Sequence, residues 1–188
     1  EFMAAHGFVQ LIGSDPDGLP FVTHLPVAVS AEGDGIVIEG HLARANPQAG
    51  WLAGRQALAV FNGPNGYVSP DHYASASAVP TWNYAAVHAS GPLALVEDKA
   101  NKDRLLKTLI ARYEPGYAER WRGLDADYRQ RMLAGIVGFR ITVTALEGKF
   151  KLGQNRNEAD RQGVHAAFVR GDPGQRALAA WMEKLGLV

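Results

Sequence analysis

The segment EGHLARANPQAGW, residues 39–51, sets His41, Arg44 and Asn46 just ahead of a helical run that starts at Pro47. Two potential cations beside a fresh helix end are the chemistry of an anion site. A helix N-terminus presents free N–H groups and about half a positive charge, which suits a phosphate. Arg44 adds a planar fork of donors and His41 a further one. Asn46 is a good N-cap, Pro47 suits the first helical position, and Gly54 marks the end. The same residues also describe an ordinary capped helix with solvated neighbours, and the segment alone leaves both readings open.

Two further strings carry unusual side chains. GPNGYVSPDHY and VPTWNYAAVHASG place Trp82, Asn83, Tyr84 and His88 together on strand-like sequence. Alternation puts Trp82 and Tyr84 on one strand face and Asn83 on the other. That arrangement suits a flat aromatic ligand, stacked on its faces and contacted at its edges. It equally suits a barrel core or a dimer interface with aromatic anchors. EGKFKLGQNR brings Lys149, Lys151, Gln154, Asn155 and Arg156 to the end of a β-run, a dense donor set for phosphate, a carbonyl edge or solvent.

Strands and turns must position these residues. GFVQLIG is followed by the turn SDPDG, then LPFVTHLPVAV, the hairpin turn AEGDG, and IVIEGHL. This meander opens a sheet or barrel, with Pro20 and Pro26 expected to interrupt the second strand or place it at an edge. QALAVFNG should end at Gly63-Pro64, and the long strand after Val79 should break near Gly91-Pro92. From Asp98 the period becomes helical, with Leu105, Leu106, Leu109, Ile110 and Tyr113 recurring until EPG. A second helix is expected from Asp125 to Leu133, then strands over IVGFRITVTALEGKFKL. Asp172 caps a last helix with Pro173 at its first position, a buried stripe of Leu178, Trp181, Met182 and Leu185, and Gly186 past its end. The fold class is α+β: a small barrel with added helices.

Composition limits the function. The chain has 188 residues, 47% hydrophobic and 20% charged, enough to bury a core. No run approaches the roughly 18 apolar residues of a membrane span. The absence of cysteine removes disulfides, thiolate nucleophiles and sulfur-based zinc sites. Glu1 and Phe2, ahead of Met3, read as a cloning remnant outside the fold, and with no export signal a cytoplasmic location is expected. Formal net charge is zero, yet residues 99–131 carry nine Lys or Arg against five acids, either a weak polyanion surface or a solvated helix face. The six histidines show no H-E-x-x-H pattern, so no metal site is expected. Neither Ser69 nor Ser90 sits in a nucleophile elbow, and no G-x-G-x-x-G or Walker loop occurs.

Taken in order, THLPV, GHLARANPQ, YVSPDHY, VPTWNYAAVHASG and GKFKLGQNR resemble the PaiB family, described as FMN-binding negative transcriptional regulators. The resemblance runs from about Gly7 to the QNR segment; members carry some twenty residues more before the first strand. It implies an FMN-binding split barrel, shared with pyridoxamine-phosphate oxidases, over residues 3–153 with a helical insertion around 98–134, and a C-terminal helical extension over 154–188. It also implies a homodimer with flavin at the subunit interface. The FMN phosphate would lie against Arg44, Asn46 and the Pro47 helix. Thr23, His24 and Leu25 would line the isoalloxazine with His41, Leu42 and Ala43. Trp82 and Asn83 would approach the ring region, and Lys151, Gln154, Asn155 and Arg156 would arrive from the strand end of the other subunit.

Three functions follow as expectations: a flavin-binding regulator or sensor, a flavin oxidoreductase of unknown small substrate, and a cofactor-free or haem-binding split barrel. The first would need the basic stretch for any direct DNA contact, since no helix-turn-helix pattern is present. The second would use His24 or His88 as acid or base. Whether the protein is an enzyme is left open by the sequence.

Overall fold

The computed structural model describes residues 1–75 and 77–188. Seven strands run β1 (Phe8–Ser14), β2 (Pro20–Glu32), β3 (Gly35–Ala43), β4 (Gln56–Val68), β5 (Thr81–Val96), β6 (Ile136–Thr142) and β7 (Ala145–Lys151). Helices are α1 (Phe2–Ala5), α2 (Gln48–Trp51), α3 (Lys99–Tyr113), α4 (Tyr117–Gly123), α5 (Ala126–Ala134), α6 (Glu158–Val169) and α7 (Pro173–Lys184). The strand order is β4-β1-β2-β3-β6-β5-β7, and an added β4–β5 pairing returns the first six to their start as a closed barrel. Two compact units divide the chain: Glu1–Phe61 with His88–Glu147, and Asn62–Val87 with Gly148–Val188. No helix among the described residues is long and apolar enough to cross a membrane.

In the first unit the alternation of the strands explains the core. β1 pairs antiparallel with β2 from Phe8↔Pro26 to Ser14↔Pro20. β2 pairs with β3 from Val27↔Gly40 to Glu32↔Gly35. Directly opposed residues share a face, so Val9, Leu11, Leu25, Val27, Ile38, Leu42, Phe139 and Ile141 all point inward and are buried. The opposite face carries His24, Glu39 and His41. Here α3 lies across the sheet: the Arg104 fork reaches both Glu39 carboxylate oxygens at 3.1 and 2.7 Å. The β2–β3 hairpin closes through Gly33, whose φ of +56° suits a tight two-residue turn.

β2 is neither interrupted nor at an edge, contrary to the sequence expectation. Pro26 stands where the strand leaves β1 and takes up β3, since the first ladder ends at Phe8↔Pro26 and the second begins at Val27↔Gly40. A missing N–H matters least at such a handover. β4 likewise continues through Gly63-Pro64, and β5 runs unbroken through Gly91-Pro92. Gly91 is needed there for close approach, because a Cβ would lie 1.9 Å from the Thr142 carbonyl oxygen.

α3 and α5 are capped by aspartates at their starts. Asp98 accepts from Asn101 N at 2.9 Å and Asp125 from Tyr128 N at 2.9 Å. The carbonyl end of α5 is closed by two cations: buried Lys102 donates to Leu133 O at 2.7 Å, and Arg44 Nε to Ala134 O at 2.8 Å. Phe2 belongs to the fold after all, being buried in α1 with its ring 4.4 Å from that of His6.

In the second unit α6 and α7 build a separate core of Val68, Leu152, Val164, Phe168, Leu178, Ala179 and Met182. Each large side chain so buried stabilises by about 1.5–3 kcal/mol. Asp172 and Gln175 form a reciprocal capping box at the start of α7. Leu185, expected in the buried stripe, is 48% exposed because the helix has ended.

A polar motif cluster on beta2, beta3 and alpha2

The expected site residues of the first unit fall into two sets by strand alternation. Leu25 and Leu42 are buried in the barrel core, so only their backbone can meet a ligand. His24 and Ala43 are exposed and Thr23 and His41 half-buried. Asn46 ties the strings together. Its Nδ2 donates to Thr23 Oγ1 at 3.0 Å, and its Oδ1 accepts from Gln48 N at 2.9 Å.

The helix after Pro47 is a single turn, Gln48–Trp51, with Pro47 rather than Asn46 at its N-cap, not a run to Gly54. Its first donors are already engaged: Gln48 N by the Asn46 side chain and Ala49 N by Asn46 O at 3.0 Å. One turn with satisfied N–H groups has little macrodipole to offer an anion, so the physical route expected for a phosphate there is absent. Arg44 is engaged too. Its Nη2 reaches Glu97 Oε2 at 2.8 Å and Ile136 O at 3.2 Å. The guanidinium beside Glu97 holds that carboxyl below its ordinary range. Anion binding by Arg44 therefore requires release from Glu97.

Two buried polar atoms on these strings have no hydrogen-bond partner among the described residues. They are Gln48 Oε1, next to Asn46, and His41 Nδ1, on the face of β3 opposite to the one that Thr23 shares with Leu25. Burial pushes the His41 imidazole below its ordinary value of 6.5, which keeps it neutral near neutral pH. Gln48 is fully buried, with Nε2 donating to Leu11 O and Phe21 O at 3.2 Å each. Sequence reading missed Gln48 as a site residue, although it closes the GHLARANPQ string. A buried polar atom without a partner costs about 1–3 kcal/mol, so these two positions fit a polar ligand that completes them.

The second unit holds the other expected residues. Trp82 is 54% exposed and meets Tyr67 edge-on at 5.9 Å, while Asn83 points inward and is buried. That alternation is the expected one. Lys151 Nζ donates to Thr81 Oγ1 at 2.5 Å and to the Trp82 carbonyl at 2.8 Å. Gln154 closes the turn after β7, accepting from Leu152 N at 2.9 Å and donating to Phe150 O. Arg156 stacks 4.4 Å over the Tyr73 ring, and Asn155 is exposed.

A closed barrel with a polar string on adjacent strands and unpartnered buried atoms on it defines a split-barrel, ligand-binding protein. The comparisons give the class its ligand. A family model described as "Putative FMN-binding domain" matches residues 1–145, and the chain belongs to that FMN-binding family, with FMN as its cofactor. The chain is 35% identical over 191 residues to the Bacillus subtilis protein "Protease synthase and sporulation protein PAI 2", covering 97% of this chain and 88% of that one. An uncharacterized protein of Emericella nidulans is 31% identical over 183 residues, 80% of this chain and 73% of that one. Both the PaiB resemblance and the α+β split barrel are thereby borne out.

Solved structures agree on the fold. The Azotobacter vinelandii flavocytochrome Anf3 superposes with a TM-score of 0.63 at 21% identity, over 81% of this chain and 65% of that one. The FAD and haem binding protein of Mycobacterium smegmatis does so with a TM-score of 0.60 at 19% identity, over 81% and 69%.

Proposed function

We propose that this protein is a homodimeric, FMN-binding regulator or sensor of the PaiB type. The observation that carries the reading is the Asn46–Thr23 hydrogen bond, which gathers two of the polar strings into one cluster beside a buried, unpaired atom of Gln48. FMN would be held in the first unit by Thr23, His24, His41, Arg44 and Asn46, with Gln48 added. Backbone of Leu25, Leu42 and Ala43 would line the ring. A second copy of the chain would contribute Trp82, Asn83, Lys151, Gln154, Asn155 and Arg156. When bound, FMN supplies one- and two-electron redox chemistry, and the chain supplies orientation and electrostatics. Neutral His41 offers a hydrogen-bond partner at Nδ1 without adding charge beside the ring.

Direct DNA contact has less support than flavin binding. Lys102 is buried on carbonyl groups, Arg104 holds Glu39, and Lys107 pairs with Asp103 at 2.5 Å. The basic excess of residues 99–131 is therefore smaller at the surface than in the sequence. Flavin binding is tested by the visible flavin absorbance that stays with the protein after reconstitution with FMN and desalting. Retention by the wild type and loss in folded Asn46→Ala and His41→Ala variants is the expected outcome. A wild-type protein that retains no FMN, or variants that retain all of it, would sink the assignment. Light scattering on the 20.3 kDa chain tests the dimer.

A further inference from the structure

Between α3 and α5 of the first unit lies a groove of about 390 Å³, lined by Lys99, Ala100, Asp103, Ala126, Arg129 and Leu133. Its floor is apolar (Ala100, Ala126, Leu133) and its polar groups are two cations and one acid. The acid is already neutralised. Asp103 accepts from Trp121 Nε1 at 3.0 Å and pairs with Lys107 Nζ at 2.5 Å. The cations are not matched in the same way. Arg129 Nε is buried with no hydrogen-bond partner among the described residues, its charge acting on Asp103 through space, and Lys99 Nζ reaches Gln130 Oε1 at 3.5 Å.

We propose that this groove binds a small organic carboxylate with a short apolar body, its carboxylate on Arg129 and its chain against Ala100, Ala126 and Leu133. Three observations converge on that ligand. A desolvated guanidinium N–H without an acceptor is costly, and an anion is the partner that satisfies it best. Lys99 adds a second positive charge from the α3 wall, across from Arg129 on α5, and Asp103, on the same wall as Lys99, is held by Trp121 and Lys107. The volume lies in the range of small-molecule pockets and the mixed lining is typical of them. Inorganic anions would satisfy the charge and leave the floor wet, and neutral apolar molecules would leave Arg129 unpaired. The inference is independent of flavin binding, since none of the six lining residues belongs to the FMN cluster.

The test is a titration of the full chain with sodium hexanoate, followed by amide NMR shifts. Sodium chloride at equal ionic strength, sodium phosphate and hexan-1-ol serve as comparisons. Saturable shifts at Ala100, Ala126, Arg129 and Leu133 with hexanoate are expected, with affinity at least about tenfold lower in Arg129→Met, as loss of one charged hydrogen bond implies. Arg129→Lys keeps the charge but not Nε, and should bind with intermediate affinity. Ala126→Leu leaves both cations and fills the floor, and should abolish binding even if Arg129→Met folds poorly. Shifts that do not saturate, or that survive both substitutions, overturn the proposal. Equal shifts from phosphate would reduce the groove to a charge site, and equal shifts from hexanol to an apolar one; either result also overturns it.

Discussion

Asn46 Nδ2 donates to Thr23 Oγ1 at 3.0 Å, joining the turn after β3 to the middle of β2. The same carboxamide, through Oδ1, holds Gln48 N at 2.9 Å. Asn46→Ala removes both bonds and should lower stability by about 1–2 kcal/mol. Thr23→Val removes one acceptor and should cost about half as much. Urea unfolding measures both. FMN affinity measured alongside should fall further in Asn46→Ala than in Thr23→Val, because only the former loosens the whole turn.

Stability should fall as pH drops below 6.5, and His41 is part of the reason. Burial sets its folded value below the ordinary 6.5. Between those two values the unfolded chain binds a proton that the folded chain does not, so acid favours unfolding; above 6.5 the group is neutral in both states and contributes no slope. His41→Gln should flatten part of this decline. His6, also lowered by burial, should account for a remaining part. Urea midpoints on either side of 6.5 measure the effect, and an unchanged slope in the double variant would contradict it.

Lys102 is a structural cation. Its Nζ donates to Leu133 O at 2.7 Å and Ile136 O at 3.3 Å, and the side chain is buried. Lys102→Met keeps the stem and takes the Lys102 donor from Leu133 O, while Ile136 O keeps Arg44 Nη2, which should destabilise by about 1–3 kcal/mol. Lys102→Glu should be worse, placing an acceptor against acceptors. Neither change should be read as loss of a polyanion contact. Arg112, Arg120 and Arg122, exposed on α3 and α4, are the positions whose reversal tests that surface.

Gly91→Ala should be poorly tolerated. The added Cβ would meet the Thr142 carbonyl oxygen at 1.9 Å and its carbon at 2.9 Å, and backbone cannot swing away as a side-chain tip does. A loss of about 1–3 kcal/mol is expected. Thermal unfolding against Gly50→Ala, where nothing lies within 4 Å of the new Cβ, provides the control.

Much of this architecture was legible residue by residue. Asp98 and Asp172 announced their helices because capping is a local interaction. Prolines misled, because whether a strand survives Pro26 depends on where its partners change, and no local pattern carries that. α6 falls inside the helical extension expected over 154–188, but its own bounds were not legible, for a similar reason. Its inward stripe is Asp160, Val164 and Phe168, so a charged residue stands where an apolar one would reveal the period. Asp160 is buried there by bonds from Ser75 N and Oγ at 2.9 Å each. Around the flavin cluster the strings themselves were readable. What was not readable was the engagement of Arg44 by Glu97, a partner far along the chain, nor that the Pro47 helix is one turn long.

The interlacing of the two units bears on the order in which the protein can be made. Each unit draws on two separate stretches, and β4, β5 and β7 pass from one to the other mid-strand. A nascent chain emerging from the ribosome has every segment of the first unit once Glu147 is out, while Val68 still lacks Phe168, Leu178 and Met182, its eventual neighbours. The apolar faces of the second unit thus stay uncovered until the last helix is synthesised, and such long-range closures are slow. The late C-terminal helices are the step on which chaperone dependence and aggregation during expression would turn.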